Sequence, residues 1–272
     1  MRLIEVGRKH RSFTLRAPVF LAVGLLIFAW LLNTPGGLLG KADAVGYAVC
    51  HRIEVRSFHL GDRAVPLCAR CTGMYLGAVL GLAYQGILRP RRSGAPPWKV
   101  AIPLGLMAAA FILDGLNSYL HFFPNLPTLY EPSNAGRLFT GTGMGLVIAA
   151  ALYPAFNSTV WKNWNSQPAL DSVPALGGLL VLALILDGLV WLENPLILYP
   201  LALISAGGVL ALLSMIYAIL WLMLVRVENR FLRKRELLLP LTAGLGVAVL
   251  QIAAIGFVRF WLTGTWGGFV FG

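Results

Sequence analysis

Cysteine is scarce in this chain, with three in 272 residues, and all three fall between positions 50 and 71. Cys68 and Cys71 form a Cys-x-x-Cys pair in "PLCARCTG", and Cys50 is followed directly by His51. Three chemistries suit this grouping. Cys50, His51, Cys68 and Cys71 make a Cys3His donor set of the kind zinc prefers, with His59 as the alternative imidazole. A Cys-x-x-Cys at a helix start, beside Arg70, also suits thiol redox exchange, because unpaired helix amides and a cation favour thiolate. The third reading is structural: one disulfide and a free thiol in a loop where oxidation is permitted. His10 and His121 have no ligand set near them in sequence and receive no role.

A second group of costly residues lies in apolar surroundings. Asp114 and Asp187 sit inside uncharged runs, where an ionisable side chain costs a few kcal/mol and therefore points to function or to a buried partner. Asn117 lies one helical turn beyond Asp114, and Asn134 and Arg137 precede another apolar run. We expect Asp114, Asn117, Asn134, Arg137 and Asp187 to line one polar pocket, with structural pairing of an aspartate to an arginine as the alternative. Arg52, Arg56 and Arg70, with Arg137, are candidates for holding a phosphate or headgroup, since guanidinium forks match phosphate oxygens.

These residues need a membrane to position them. The chain is 58% hydrophobic and 12% charged, with mean hydropathy +0.75, too apolar to cover itself with polar groups in water. Seven runs are long enough to cross hydrocarbon: about 17–38, 71–88, 100–120, 138–156, 173–192, 199–225 and 238–262. We therefore expect an all-α polytopic bundle of about seven helices. It divides into a basic leader (1–16), a transmembrane region (17–262) with the Cys/His loop at 39–70, and a short tail (263–272). The first run, with Ala42-Asp43-Ala44 beyond it, has features of a cleaved signal peptide, but its length favours a retained helix.

Alternating crossings put Arg89, Arg91, Arg92, Lys99 and the basic stretch from Arg226 to Arg235 on the same side as the leader, so the positive-inside rule predicts a cytoplasmic N-terminus in the inner membrane. The cysteine loop then faces outward. The basic cluster Lys41, Arg52, Arg56, Arg63 and Arg70 defies that rule unless those residues have partners. The net charge of +11 is met by anionic headgroups, so membrane lipids, not nucleic acid, are the expected contacts. Parity alone gathers Cys50, His51, Cys68, Cys71, both aspartates and Arg137 at one membrane face.

Two words recur in order: "TGMYL" at 72–76 with "ILDGL" at 112–116, then "TGMGL" at 142–146 with "ILDGL" at 185–189. They suggest a parallel duplication of a helical hairpin. Glycines at 73, 77 and 81, and at 141 and 145, recur every four positions and allow close backbone approach.

The elements Cys50-His51, Arg56-Ser57-Phe58 and Cys68-Ala69-Arg70-Cys71-Thr72-Gly73, with "LDG" at 113–115 and "SNAGRLFTG" at 133–141, resemble the signature of the prokaryotic membrane proteins of the domain of unknown function 2085 family. The resemblance spans about residues 48–145 and implies a polytopic membrane protein without implying an activity. The functional expectation is a zinc-binding loop over a polar intramembrane pocket open to a small-molecule or lipid ligand. The alternatives are a membrane enzyme on lipid-linked or quinone substrates, and a proton- or cation-coupled carrier using both aspartates.

Overall fold

The computed structural model describes residues 16–123 and 127–269. The basic leader, apart from Arg16, and the last three residues of the tail lie outside the described residues. Helices α1 (Arg16–Leu32), α2 (Gly37–Val49), α3 (Ala69–Leu88), α4 (Trp98–Leu120), α5 (Asn134–Val160), α6 (Val173–Trp191), α7 (Pro195–Leu224) and α8 (Leu238–Thr263) carry almost all the regular structure. Two small ribbons complete it: β1 (His59–Leu60) antiparallel to β2 (Arg63–Ala64), and β3 (Arg92–Gly94) parallel to β4 (Asn165–Pro168). The chain is an all-α polytopic bundle.

Helices α3 to α8 are each long and apolar enough to cross a membrane, and at 1.5 Å per residue even the 19 residues of α6 reach about 28 Å. The first run behaves differently. It stops at Leu32, and after Asn33-Thr34-Pro35-Gly36 the axis turns by 104° into α2, so only the bent pair together makes a seventh span. Pro35 cannot continue the helix and disfavours α geometry at Thr34. Gly37 takes φ +75°, a value open to glycine. The side chains of Asn33 and Thr34 cap the carbonyls of Ala29 and Trp30, and Lys41 Nζ donates to the carbonyls of Leu31 and Thr34. A cation at a helix C-terminus meets the negative end of the dipole.

Helix α2 corrects the expectation of a loop over 39–70. Its 13 residues are short and rich in Gly and Ala, with a lysine and an aspartate inside, so they carry no spanning signal. They are nonetheless packed: Ala42, Ala44, Val45 and Tyr47 are buried, and a Cβ on Gly46 would run into the Pro66 carbonyl. Asp43 emerges to pair with Arg52 and Arg63.

Contacts between distant segments establish which helix ends share a face. Arg70 at the start of α3 meets Asp114 near the end of α4, Glu193 after α6 accepts from His59 N, and Phe269 N after α8 donates to His51 O. At the other end, β3 pairs with β4 and Trp161 after α5 bridges to Phe231 after α7. The polar residues that parity gathered are on one end of the bundle, here called the cysteine face.

The centre of the bundle is the parallel pair α3 and α5. Gly73 and Gly77 lie against the backbone of Leu138 and Thr142, and reciprocally Gly141 and Gly145 lie against the carbonyls of Arg70 and Met74. Without water to drive helices together in lipid, such small-residue seams provide close van der Waals packing. This seam fixes α3, and hence its N-terminal cysteines, against α5.

Candidate functional site

The three cysteines arrive from two directions. Cys50 is the C-cap of α2, in extended geometry at φ −137°, ψ 147°, with its N–H bonded to Gly46 O. Cys68 is the N-cap of α3 and Cys71 lies in its first turn, so the Cys-x-x-Cys spacing sets both sulfurs at the helix N-terminus. The three Sγ atoms lie within 4.8 Å of one another and are all free thiols. Cys50 Sγ accepts from the backbone N–H groups of Cys68 at 3.3 Å and Arg52 at 3.5 Å.

Around the sulfurs the environment is apolar, with Ala42 and Val45 of α2, Leu67, Ala206 and Val209 of α7 and Ile252 of α8. Hydrogen bonds from Cys68 and Cys71 hold the Cys50 thiol well below its usual range, whereas the bond to Cys50 pushes Cys68 up to about 12. Within the trio the hydrogen bonds thus favour thiolate character at Cys50 and thiol character at Cys68, in a low-dielectric site. A second thiolate there needs a cation, and a thiophilic metal ion supplies one. The trio suits a metal by donor type, number and proximity.

His51 is not part of the close group. Successive side chains on extended backbone point to opposite sides, so Cys50 turns toward α3 while His51 turns away. His51 Nδ1 accepts from Ile53 N at 3.0 Å, and burial lowers the imidazole pKa. His59 also stays outside the trio, on β1. Among the described residues no fourth histidine, cysteine or carboxylate joins the three sulfurs.

Arg259 of α8 holds this loop in place. Its Nη1 donates to the carbonyls of Tyr47 at 2.6 Å and Cys50 at 2.7 Å, its Nη2 to His51 O at 3.3 Å, and its guanidinium stacks between the rings of Tyr47 and Phe269. Tyr47 OH donates to Thr265 O, and Arg52 Nη1 donates to Trp266 O. The segment after α8 is thus a clasp over the cysteine loop. Arg259 is an ionisable residue within an apolar run, the same signal that Asp114 and Asp187 carry. The clasp itself joins residues more than 200 positions apart and left no local trace.

The expected polar pocket divides in two. Asp114 is saturated: Arg70 forms an ion pair with it and donates from Nε at 3.0 Å, Tyr130 OH donates to Oδ1 at 2.7 Å, and Thr140 Oγ1 lies at 3.3 Å. Asn117 belongs to the same group, accepting from Leu129 N and donating to Tyr130 O. Asp187 is elsewhere and takes its hydrogen bond from Thr142 Oγ1. Thr140 and Thr142 are two positions apart on α5, about 200° around the helix axis, so the two aspartates approach that helix from different sides. Asn134 and Arg137 bond to each other at 2.9 Å.

Three of the loop arginines have carboxylate partners. Arg52 pairs with Asp43 at 2.7 Å, Arg63 shares that carboxylate, and Arg70 is committed to Asp114. That leaves Arg56 and Arg137 of the headgroup candidates without a carboxylate among the described residues.

Six apolar helices and a bent pair, closed at one face by a free-thiol trio, define a polytopic helical membrane protein with a candidate metal centre. The chain belongs to the family described as Predicted membrane protein (DUF2085), which matches residues 50–151 and so includes the trio, Asp114 and Arg137. It is 33% identical over 101 residues to an uncharacterized protein of Methanothermobacter thermautotrophicus, covering 37% of this chain and 81% of that one. It is 26% identical over 122 residues to an uncharacterized protein of Methanocaldococcus jannaschii, covering 45% of this chain and 72% of that one. No solved structure matches the chain.

Proposed function

We propose that this protein is a membrane metalloprotein in which Cys50, Cys68 and Cys71 bind one zinc ion. The observation that carries the reading is the approach of three free sulfurs to within 4.8 Å of one another from opposite ends of a 22-residue segment. The N–H donors to Cys50 Sγ and the α3 N-terminus favour thiolates, as the outer hydrogen bonds of a metal site do. The fourth position goes to a water or a small-molecule ligand, because His51 is engaged by Ile53 N. The metal fastens the end of α2 to the start of α3, a structural role over the polar groups around Asp114.

The reading includes a direction. The opposite face collects Arg89, Arg91, Arg92 and the basic stretch after α7, whereas three of the basic residues on the cysteine face are offset by Asp43 and Asp114. The positive-inside rule then supports a cytoplasmic N-terminus, an inner-membrane location and an extracytoplasmic cysteine face. A thiol-redox enzyme on quinone or lipid-linked substrates is the second reading, and the depressed Cys50 thiol favours it.

Elemental analysis of purified protein tests the metal. The expected result is about one zinc per chain, lost in Cys68→Ser. Metal-free protein whose thiols titrate reversibly as a disulfide overturns the zinc reading and supports the redox one.

A further inference from the structure

On the cysteine face Arg52, Arg63 and Arg70 are paired with carboxylates, whereas, among the described residues, Arg56 and Arg137 are not. Among the described residues Arg137, only 6% exposed, makes one side-chain hydrogen bond, to Asn134 Oδ1, and its buried Nε meets no partner. Arg56 donates to the Ser118 carbonyl at 3.2 Å and stacks 3.8 Å over the Phe122 ring. Neither meets a carboxylate among the described residues, and Asp114 is saturated by Arg70, Tyr130 and Thr140.

The two guanidinium groups converge on one place. Arg56 and Arg70 both reach Ser118, the first at its carbonyl and the second at its hydroxyl. Asn134, which holds Arg137, donates to the carbonyls of Val55 and Ser57, the residues on either side of Arg56. After burial, the charges of Arg137 and Arg70 are what lower the Arg56 pKa, as expected of guanidinium groups packed near one another. The first turn of α5, a 27-residue helix, adds the positive end of its dipole.

A buried cation left unpaired is destabilising, so a site of this kind is completed by an anion. Guanidinium groups present forked donors that match the oxygens of a phosphate. We propose that Arg56 and Arg137 form a binding site for a phosphate oxyanion at the cysteine face, with Arg70, Ser118 and Asn134 holding the two guanidinium groups in place. Tyr119, Phe123 and Tyr130 are exposed at the same end of α4 and just beyond it, the aromatic setting of a headgroup layer. The phosphate therefore comes either from a lipid headgroup or from a free phosphate compound. The site does not depend on the metal reading, since none of its residues is a cysteine ligand.

Two probes separate the sources: inorganic phosphate added to protein in a neutral detergent, and nanodiscs of phosphatidylcholine with or without phosphatidylglycerol. Thermal stability and, for lipid, retained molecules counted by native mass spectrometry are the readouts. The expected result is saturable stabilisation by at least one probe, with half-saturation raised about tenfold or more in Arg137→Gln and in Arg56→Gln, and partly restored in Arg137→Lys. Phosphate alone acting identifies a soluble ligand, and phosphatidylglycerol alone acting identifies a lipid. If Arg137→Gln fails to fold, the half-exposed Arg56 variant decides. No response to either probe, or a wild-type response unchanged in the Arg56 variant and in any Arg137 variant that folds, overturns the proposal. Zinc content of the same samples stays at the wild-type level, so failure here is distinguishable from failure of the metal centre.

Discussion

The word "ILDGL" occurs twice, and its two aspartates live differently. Asp114 is held by a guanidinium, a phenol and a hydroxyl, whereas Asp187, equally buried, has one hydroxyl and no counter-charge among the described residues. The difference traces to the helix before each word. In "ARCTG" the position two before the threonine is Arg70, and in "FTGTG" it is Thr140. If the hairpins arose by duplication, the second kept its carboxyl but carries a threonine where the first has the arginine. A repeated word preserves a position in the membrane and not the chemistry at that position. This bears on the carrier reading, which requires the two aspartates to act equivalently, because only one of them is locked in an ion pair.

The largest expected effect tests that lock. Arg70→Ala leaves a buried carboxylate with hydroxyl partners only and should cost about 3–5 kcal/mol. Asp187→Asn keeps an acceptor for Thr142 and should cost about 1 kcal/mol or less. Reversible unfolding in mixed micelles measures both. In the Asp114→Asn background the cost of Arg70→Ala should shrink by several kcal/mol, since the stranded charge is gone. Equal costs for Arg70→Ala and Asp187→Asn would erase the distinction between the two sites.

Most of the bundle was legible because uncharged runs of about twenty residues have few other interpretations. Parity then placed the polar groups at one end without any knowledge of side-chain contacts. What could not be read were facts of rotation and distance. Which arginine meets Asp114 depends on how α3 turns about its axis, and that is set by Gly73 and Gly77 against α5. His51 appeared equivalent to the cysteines by residue type, yet the extended backbone at Cys50 turns it away. Helix α2 carries no sequence signal of its own because a short helix of small residues is stabilised by what packs on it and not by its own pattern. The Arg259 clasp joins Cys50 to a residue 209 positions away, beyond any local signal.

A smaller effect separates seam glycines from lipid-facing ones. A Cβ on Gly145 would strike the Met74 carbonyl and the Ala78 amide, backbone atoms that cannot swing aside. Gly145→Ala should therefore cost about 1–3 kcal/mol through forced separation of α3 and α5. Among the described residues nothing lies within 4 Å of the corresponding point at Gly188, next to Asp187. There Gly188→Ala should be neutral or stabilising by up to about 1 kcal/mol, through helix propensity alone. The same measurement reports both, and a destabilising Gly188→Ala would mean that the second "ILDGL" word packs against something beyond this chain.

The smallest effect concerns Thr142. Among the described residues its hydroxyl is the one hydrogen-bond donor to Asp187, so Thr142→Val removes a single buried bond while keeping shape, at a cost of about 1–2 kcal/mol. The matching residue in the first repeat, Thr72, donates to the Leu67 carbonyl instead and leaves Asp114 alone. Thr72→Val should thus lose a similar amount regardless of what stands at 114, while Thr142→Val should become nearly neutral once Asp187 is replaced by Leu. Such a pair of double-mutant cycles, one coupled and one additive, follows directly from the unequal wiring of the two hairpins. Coupling of Thr72 to Asp114 of the same size would instead mean that the first repeat also uses the threonine-to-aspartate contact, and that Arg70 was added to a site already formed.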